Sequence, residues 1–483
     1  MKQIDGGKMG GIRKNYFYNV LYQILLFITP FITAPYIART VGAEGIGIYS
    51  YSYSIAYYFY IFGMLGAANY GSRSIAKVQS DKNNRTFEFW NIYAIQLILG
   101  LLTTGIYVVY VLCTVRTNTL IFLLQVFVPL SAVADISWFF FGMEQFRIII
   151  PRNVLFKILN VLLMLVIVKT GDDLWKYTLL LSLTIFATHF SLWPFLTKFI
   201  GKPCFDLTKI KENIKPDLIL FVPVLAISLY KVMDKVMLGN MCDPIQVGFY
   251  ENAEKVINIP NGLITAFSTV MLPRMSSFYT KGKTSDAIPV IKKSCEFMMF
   301  LSCALAFGLF GVATDFTIVF YGKNFVPTIS LIQIIAFTII AQAISTIMRS
   351  LYLIPKGKDK SYIVSIFTGA GINLILNAIL IPHYQAKGAA IATLVAELFV
   401  MIVQIASVER EVSVIIYIVK GFKYVAIGIA MVSAIQRISL DSALDTVIVR
   451  VMAGGLLYLT FSALLNVNNI VKTFENLKCK RKS

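Results

Sequence analysis

Six ionisable residues stand inside two otherwise apolar stretches between Phe221 and Met275. Lys231, Asp234 and Lys235 lie in the first; Glu251, Glu254 and Lys255 lie in the second. Within each trio the spacing is i, i+3, i+4, which places all three on one face of a helix. Asn258 and Asn261 continue the second stripe. A charge at the centre of a lipid-facing helix costs roughly 2.5–3.5 kcal/mol, so six give an upper bound of about 15–20 kcal/mol. Both faces must therefore look into protein or a wet cavity, where opposite charges meet. Two readings follow. In one, Lys235 pairs with Glu251 or Glu254, and Asp234 with Lys255, and the network merely pins two helices together. In the other, the lysines, compact charges suited to phosphate, meet an anion. Glu251 and Glu254 would then handle protons or Na⁺, as carboxylate relays do in transporters.

The first half of the chain offers uncharged polar groups instead. Asn19 and Gln23 sit one turn apart, followed by Pro30, Thr33 and Pro35, which would kink a helix and free its carbonyls. A run of hydroxyls, Tyr49 to Ser54, continues into Tyr57, Tyr58 and Tyr60. Such a lining suits sugars, which want hydrogen bonds and flat apolar surfaces; an interfacial aromatic belt would explain only its outer end. Asn153, Lys157 and Asn160 share helical spacing, with Arg152 beside them. Asp135, Asp315, Arg349, Asn373, Asn377 and Glu397 are isolated polar points, each as compatible with a helix–helix contact as with a site.

Catalytic signatures are missing from the sequence. There is no G-x-x-x-x-G-K-[ST], no H-E-x-x-H and no G-x-S-x-G, so neither an enzyme nor a built-in ATP site is expected. Gly42, Gly45 and Gly47 read as a tight turn between helices. The six cysteines show no C-x-x-C pair and read as small core residues, and with His189 and His383 alone no His-based metal site is expected. No cofactor is implied.

The elements that must position these residues follow from composition. The chain has 483 residues, of which 57% are hydrophobic and 14% charged, with a mean hydropathy of +0.72. A soluble chain would be about 25% charged. This composition predicts an all-α integral membrane protein. At about 20 residues per span, about fourteen helices are expected near 15–38, 45–69, 87–113, 118–141, 147–169, 174–198, 216–239, 246–273, 290–314, 326–353, 361–382, 386–407, 413–436 and 446–467. Of the 44 Lys and Arg, 32 fall in alternate loops and termini and 8 on the opposite side. That bias places both termini in the cytoplasm and explains the net charge of +19 without nucleic acid. Trp90, Trp138, Trp175 and Trp193 all fall near expected span ends, where such rings prefer the headgroup level. No removable signal peptide is expected.

An internal repeat is visible. Gly47-Ile48-Tyr49 returns as Gly248-Phe249-Tyr250, and Arg73 as Arg274, both at an offset of 201. Two pseudo-symmetric six-helix lobes around a central cavity follow, over 1–200 and 201–411, with two further helices in 412–467 and a basic cytoplasmic tail, 468–483. Transporters built from such repeats place the substrate path between the halves.

From Tyr36 to Lys77 the chain reads YIARTVGAEGIGIYSYSYSIAYYFYIFGMLGAANYGSRSIAK. This stretch resembles the first hairpin of polysaccharide-biosynthesis flippases, the Wzx type within the multidrug/oligosaccharidyl-lipid/polysaccharide exporter superfamily. The resemblance rests on Arg39 before the Gly-rich turn, the G-I-Y entry, and the Gly66…Tyr70-Gly-Ser-Arg73 exit. Asp234-Lys235…Leu238-Gly239 and Val247-Gly248-Phe249-Tyr250 add to it. It implies a V-shaped, two-lobed transporter of the cytoplasmic membrane working by alternating access. The cargo would be an undecaprenyl-diphosphate-linked oligosaccharide repeat unit for surface polysaccharide, and other polysaccharide-assembly proteins would be partners. Relatives have a cationic cavity, which maps here onto Lys231, Lys235 and Lys255 at the diphosphate and Arg39 near the outer mouth. Asn19, Tyr49 and Asn258 are expected as further substrate contacts, and Asp234, Glu251 and Glu254 as ion-coupling groups. A multidrug/cation antiporter of the same superfamily is the nearest rival; a membrane-embedded polysaccharide polymerase is a more distant one.

Overall fold

A computed structural model describes residues 29–465, and all regular structure among them is helical. The chain divides into two compact units, with the boundary between Glu251 and Asn252. The first unit contains α1 (29–40), α2 (Gly42–Met64), α3 (Ala67–Lys77), α4 (Lys82–Thr114), α5 (Thr119–Leu124), α6 (Phe127–Ala134) and α7 (Ser137–Gly142). It continues through α8 (Phe146–Ile167), α9 (Leu174–Phe190), α10 (Trp193–Leu196), α11 (Leu207–Met241) and the start of α12 (Pro244–Thr280). The second unit takes the rest of α12, then α13 (Thr284–Phe320), α14 (Val326–Ile335), α15 (Thr338–Ile347), a π turn at Met348–Leu353, α16 (Asp359–Tyr384), α17 (Ala386–Val412), α18 (Ile415–Ile435) and α19 (Ala443–Leu465).

Among the described residues, twelve helical segments are long and apolar enough to cross a bilayer. They match the expected spans from the third onward, α5–α7 counting as one and α9–α10 as another. α2 has the length, 23 residues, but its nine Tyr and Ser make it less apolar. The expected number of about fourteen stays approximate: twelve such segments among the described residues, with α2 and α1 beside them. Outward residues such as Leu162, Val166, Met452 and Leu456 are exposed apolar groups, suited to hydrocarbon rather than water. The chain is a multi-pass membrane protein.

α2 is the axis of the first unit, packed by α4, α6 and α11. The long helices beside it begin at built caps. Asp81 accepts the N–H of Asn83 at 2.9 Å at the head of α4, and Asp206 that of Thr208 at 2.8 Å at the head of α11, each answering a donor with no partner inside its helix.

The fourth span is broken within the protein, and the break is fully answered by side chains. α6 ends at Ala134 and α7 starts at Ser137, which leaves the last carbonyls of α6 without helical donors. Gln96 of α4 donates to Ala132 O at 2.6 Å and to Asp135 O at 2.7 Å. Tyr93 donates to Val133 O at 3.1 Å, and Trp193 to Ala134 O at 3.0 Å. At membrane depth an irregular backbone persists only where protein supplies such partners. Trp138 belongs to this core and not to a headgroup belt. It is 1% exposed, stacks on Phe89 at 5.3 Å and donates to Gln96 Oε1 at 2.9 Å. The expected span end at 141 agrees with the end of α7 at Gly142, but the Trp138 ring turns into the core rather than outward.

The repeated glycines have a steric cause. A Cβ on Gly47 would lie 1.7 Å from Pro244 O, and one on Gly248 would lie 1.8 Å from Ala43 O. The heads of α2 and α12 thus cross backbone to backbone, each through the other's glycine. Lipid gives helices no hydrophobic reason to associate, so close approach through small residues supplies the packing instead.

In the second unit α13 is the axis, contacted by α14, α15, α18 and α19, while α16 and α17 form an antiparallel pair. Polar residues that looked isolated in the sequence find one another here. Arg450 pairs with Asp315, Gln342 donates to Glu397, and Asn377 donates to Asn373 at 3.1 Å. After the π turn, Lys356 and Lys358 both bind Glu411, Lys358 at 2.6 Å, and both lie over the Tyr352 ring. The hydrogen bond to Glu411 holds the Lys358 ammonium above its ordinary range.

Candidate functional site

The site in the first unit is built on one face of α2. Tyr49, Tyr53, Tyr57 and Tyr60 recur at helical spacing and their rings form a continuous strip. Successive centroids are 5.9, 5.8 and 5.8 Å apart, with interplanar angles of 15°, 22° and 22°. All four are half-buried, whereas Ser50, Ser52 and Ser54 on the other side of the helix are buried. Ser52 and Ser54 spend their hydroxyls on their own helix, donating to Tyr49 O at 2.9 Å and Ser50 O at 2.6 Å. From Tyr49 to Tyr60 the strip runs about 16 Å at 1.5 Å per residue.

One end of the strip meets the charged seam. Lys235 Nζ of α11 pairs with Glu251 Oε2 of α12 at 2.7 Å, with side-chain exposures of 17% and 16%. Tyr53 is in electrostatic range of both, and Tyr49 and Tyr177 are in range of Glu251. Tyr177 of α9 packs against Tyr49 at 4.9 Å. Asp234, 3% exposed, accepts the Tyr250 hydroxyl at 2.6 Å. α11 is held against α2 by Tyr51, which donates to Asn240 at 2.6 Å and fills the space where Gly239 has no side chain.

The expected residues therefore separate into groups. Lys235, Glu251, Asp234 and Tyr49 gather where α11 and the start of α12 pack on α2 in this unit, and one of the two pairings open in the sequence, Lys235 with Glu251, is formed. Lys231 is exposed on α11 and forms no ion pair among the described residues. Arg39 is exposed at the end of α1, next to the turn at Gly42, whose φ is +76°. In the second unit Glu254 and Lys255 are half-buried on α12 and Asn258 is exposed. Asn19 lies outside the described residues.

The other end of the strip was not visible in the sequence. Tyr60 donates to Asp135 Oδ2 at 2.9 Å, and His189 Nδ1 lies 3.0 Å from Asp135 Oδ1. The His189 ring is 6.4 Å from that of Tyr60. Three residues from α2, the α6–α7 break and α9 make a second polar cluster. Its sequence signal was only an acid and a histidine, each alone in an apolar run.

The chain matches the family described as Polysaccharide biosynthesis protein over residues 12–279. It is 23% identical to a protein of Escherichia coli (strain K12) named as an O-antigen transporter, over 80% of this chain and 94% of that one. It is 26% identical to a protein of Haloferax volcanii named as a low-salt glycan biosynthesis flippase, over 51% of this chain and 47% of that one. Among solved structures it resembles the lipid II flippase MurJ in an inward closed conformation, with TM-score 0.76, 15% identity, and coverage of 94% of this chain and 99% of that one. An inward-facing multidrug transporter of the MATE family aligns with TM-score 0.56 and 13% identity over 77% of this chain and 93% of that one. The fold is that of these transporters. With more than half of its length matched, the chain belongs to the polysaccharide biosynthesis protein family.

Proposed function

We propose that this protein is a flippase that moves a lipid-linked oligosaccharide across the cytoplasmic membrane for surface polysaccharide biosynthesis. The barrier it lowers belongs to a hydrated glycan and a charged headgroup crossing about 30 Å of hydrocarbon. The single observation that carries this reading is the half-buried Lys235–Glu251 pair beside the tyrosine strip of α2. A cation beside a row of flat rings with hydroxyls suits a glycosyl phosphate. A polar path lets the head cross while the lipid tail stays in the bilayer.

In this reading the carrier is undecaprenyl diphosphate. Lys231, Lys235 and Lys255 meet the diphosphate and Arg39 receives it near the outer mouth. Asn19, Tyr49 and Asn258 contact the glycan, and Asp234, Glu251 and Glu254 carry the coupling ion. Both termini are cytoplasmic, from the Lys and Arg bias. The lobes are 1–200 and 201–411, followed by helices in 412–467 and the tail 468–483, and alternation between two states changes which side is open. Other polysaccharide-assembly proteins receive the product.

The test is export. Lys231→Gln, Lys235→Gln and Lys255→Gln together are expected to abolish surface glycan and to leave lipid-linked glycan accumulated at the inner leaflet, with membrane insertion intact. Normal surface glycan from a well-inserted triple variant would remove the lysines from the site.

A further inference from the structure

The Asp135–His189 cluster has a geometry that goes beyond bracing. Asp135 occupies the break between α6 and α7, and His189 stands in the last turn of α9. Asp135 Oδ1 accepts the Ser137 N–H at 2.9 Å and lies 3.0 Å from His189 Nδ1; Oδ2 accepts the Tyr60 hydroxyl at 2.9 Å. α9 itself stops at Phe190, and Trp193 beyond it reaches back to Ala134 O at 3.0 Å. Two interrupted spans therefore abut; at the break they meet through one indole hydrogen bond and one acid–imidazole contact, and farther along α9 Ser182 donates to Leu124 O at 2.8 Å.

The charge balance of this contact depends on one proton. With His189 protonated, the pair is neutral and the imidazolium also faces the carbonyl end of its own helix, where a cation is favoured. Without that proton, a carboxylate of 6% side-chain exposure keeps two neutral donors and no cation, a costly state in a low-dielectric interior. From α2 the pair faces Tyr60, with Tyr57 and Tyr53 beyond it; α4 brings Tyr93 and the neutral Gln96, and α8, packed on α9, carries Arg152 and Lys157. Neither residue forms another ion pair among the described residues.

We propose that Asp135 and His189 form a one-proton binding site whose occupancy decides whether α9 stays latched to the break in the fourth span. The ligand is a proton from water. It enters and leaves at His189, which keeps 22% side-chain exposure. Release gives a neutral imidazole and leaves Asp135 with the donors Tyr60 and Ser137. The site is separate from the acids of α11 and α12, and it does not depend on what the chain transports.

Two histidines in the whole chain, His189 and His383, make the site directly observable. The full-length protein in nanodiscs, labelled with ¹⁵N-imidazole, gives two ring signals, and His383→Gln assigns them. Across a pH series one proton is expected to leave the His189 ring. Asp135→Asn removes the facing charge and is expected to lower its proton affinity by about tenfold or more, with His383 unchanged. Trp138 and Trp193 flank the break, so wild-type indole emission is expected to shift with the same midpoint as His189, and that shift is expected to vanish in His189→Gln. An unaltered His189 titration in Asp135→Asn overturns the site. Emission that stays flat across the His189 transition overturns the latch, and does so in the wild-type protein even if a variant fails to insert.

Discussion

The tyrosine strip of α2 ends in two ion pairs of opposite character. At one end, Lys235 and Glu251 come from consecutive helices, and each belongs to an i, i+3, i+4 trio. At the other, Asp135 and His189 are 54 positions apart, on spans that are both interrupted. The first pair is half-buried on both sides; the second hides its acid and leaves its base partly open. A charged stripe on a regular helix is a repeated statement, and it survives in the sequence as a period. A charge at a helix break is a single statement, because the break removes the period that would mark a face. On the proposed reading the patterned pair meets a ligand, while the unpatterned pair governs the backbone around it.

The sharpest way to break this comparison is to remove one partner from each pair. His189→Leu strands the Asp135 carboxylate inside the unit, and removing one partner of a buried pair costs about 3–5 kcal/mol. SDS-driven unfolding in mixed micelles should record that loss. Lys235→Met should cost distinctly less, because Glu251 retains contact with solvent. Equal losses at the two ends would erase the distinction between them.

Much of the scaffold was legible before any coordinates. Span positions from the third onward came from apolar length, because about 20 apolar residues have few alternatives to a membrane helix. α2 was legible as a polar helix, although the stacking of Tyr49, Tyr53, Tyr57 and Tyr60 into one strip needed coordinates. Pairings between distant points were not legible. Asp315 finds Arg450 and Glu397 finds Gln342 through packing between separated helices, which no local spacing encodes. Trp138 misled for a related reason: nearness to a span end does not say whether a ring turns outward, and this one meets Phe89 and Gln96 of α4.

Gly248→Ala sharpens the comparison from the patterned side. Its methyl would sit 1.8 Å from Ala43 O, a backbone atom that cannot swing away. Overpacking typically costs about 1–3 kcal/mol, and displacement of α12 from α2 would also move Glu251, three residues on. We expect lower stability in SDS titration and a weakened Lys235–Glu251 coupling. That coupling, read from a double-mutant cycle of Lys235→Met and Glu251→Gln, should be about 1 kcal/mol in the wild-type background and close to nothing with Gly248→Ala. A full coupling in that background would show that the glycine crossing does not position the pair.

The smallest effect on stability should come from inside the strip, between its two ends. Tyr57 is half-buried and stacks on Tyr53 and Tyr60 at 5.8 Å on each side. Tyr57→Phe keeps the ring and the stacking and removes one hydroxyl, so stability should stay within about 0.5 kcal/mol of wild type. Tyr57→Leu removes the flat face as well, with a modest further loss. If the strip holds sugar rings in passage, surface glycan export should fall further in the leucine variant than in the phenylalanine one, while ¹⁵N titration of His189 stays the same in both. If instead the strip only connects the two ion pairs, His189 should respond to Tyr57→Leu and export should follow His189. The two readings of the strip thus part at His189, which stays the same in both variants under the first and changes in the leucine variant under the second.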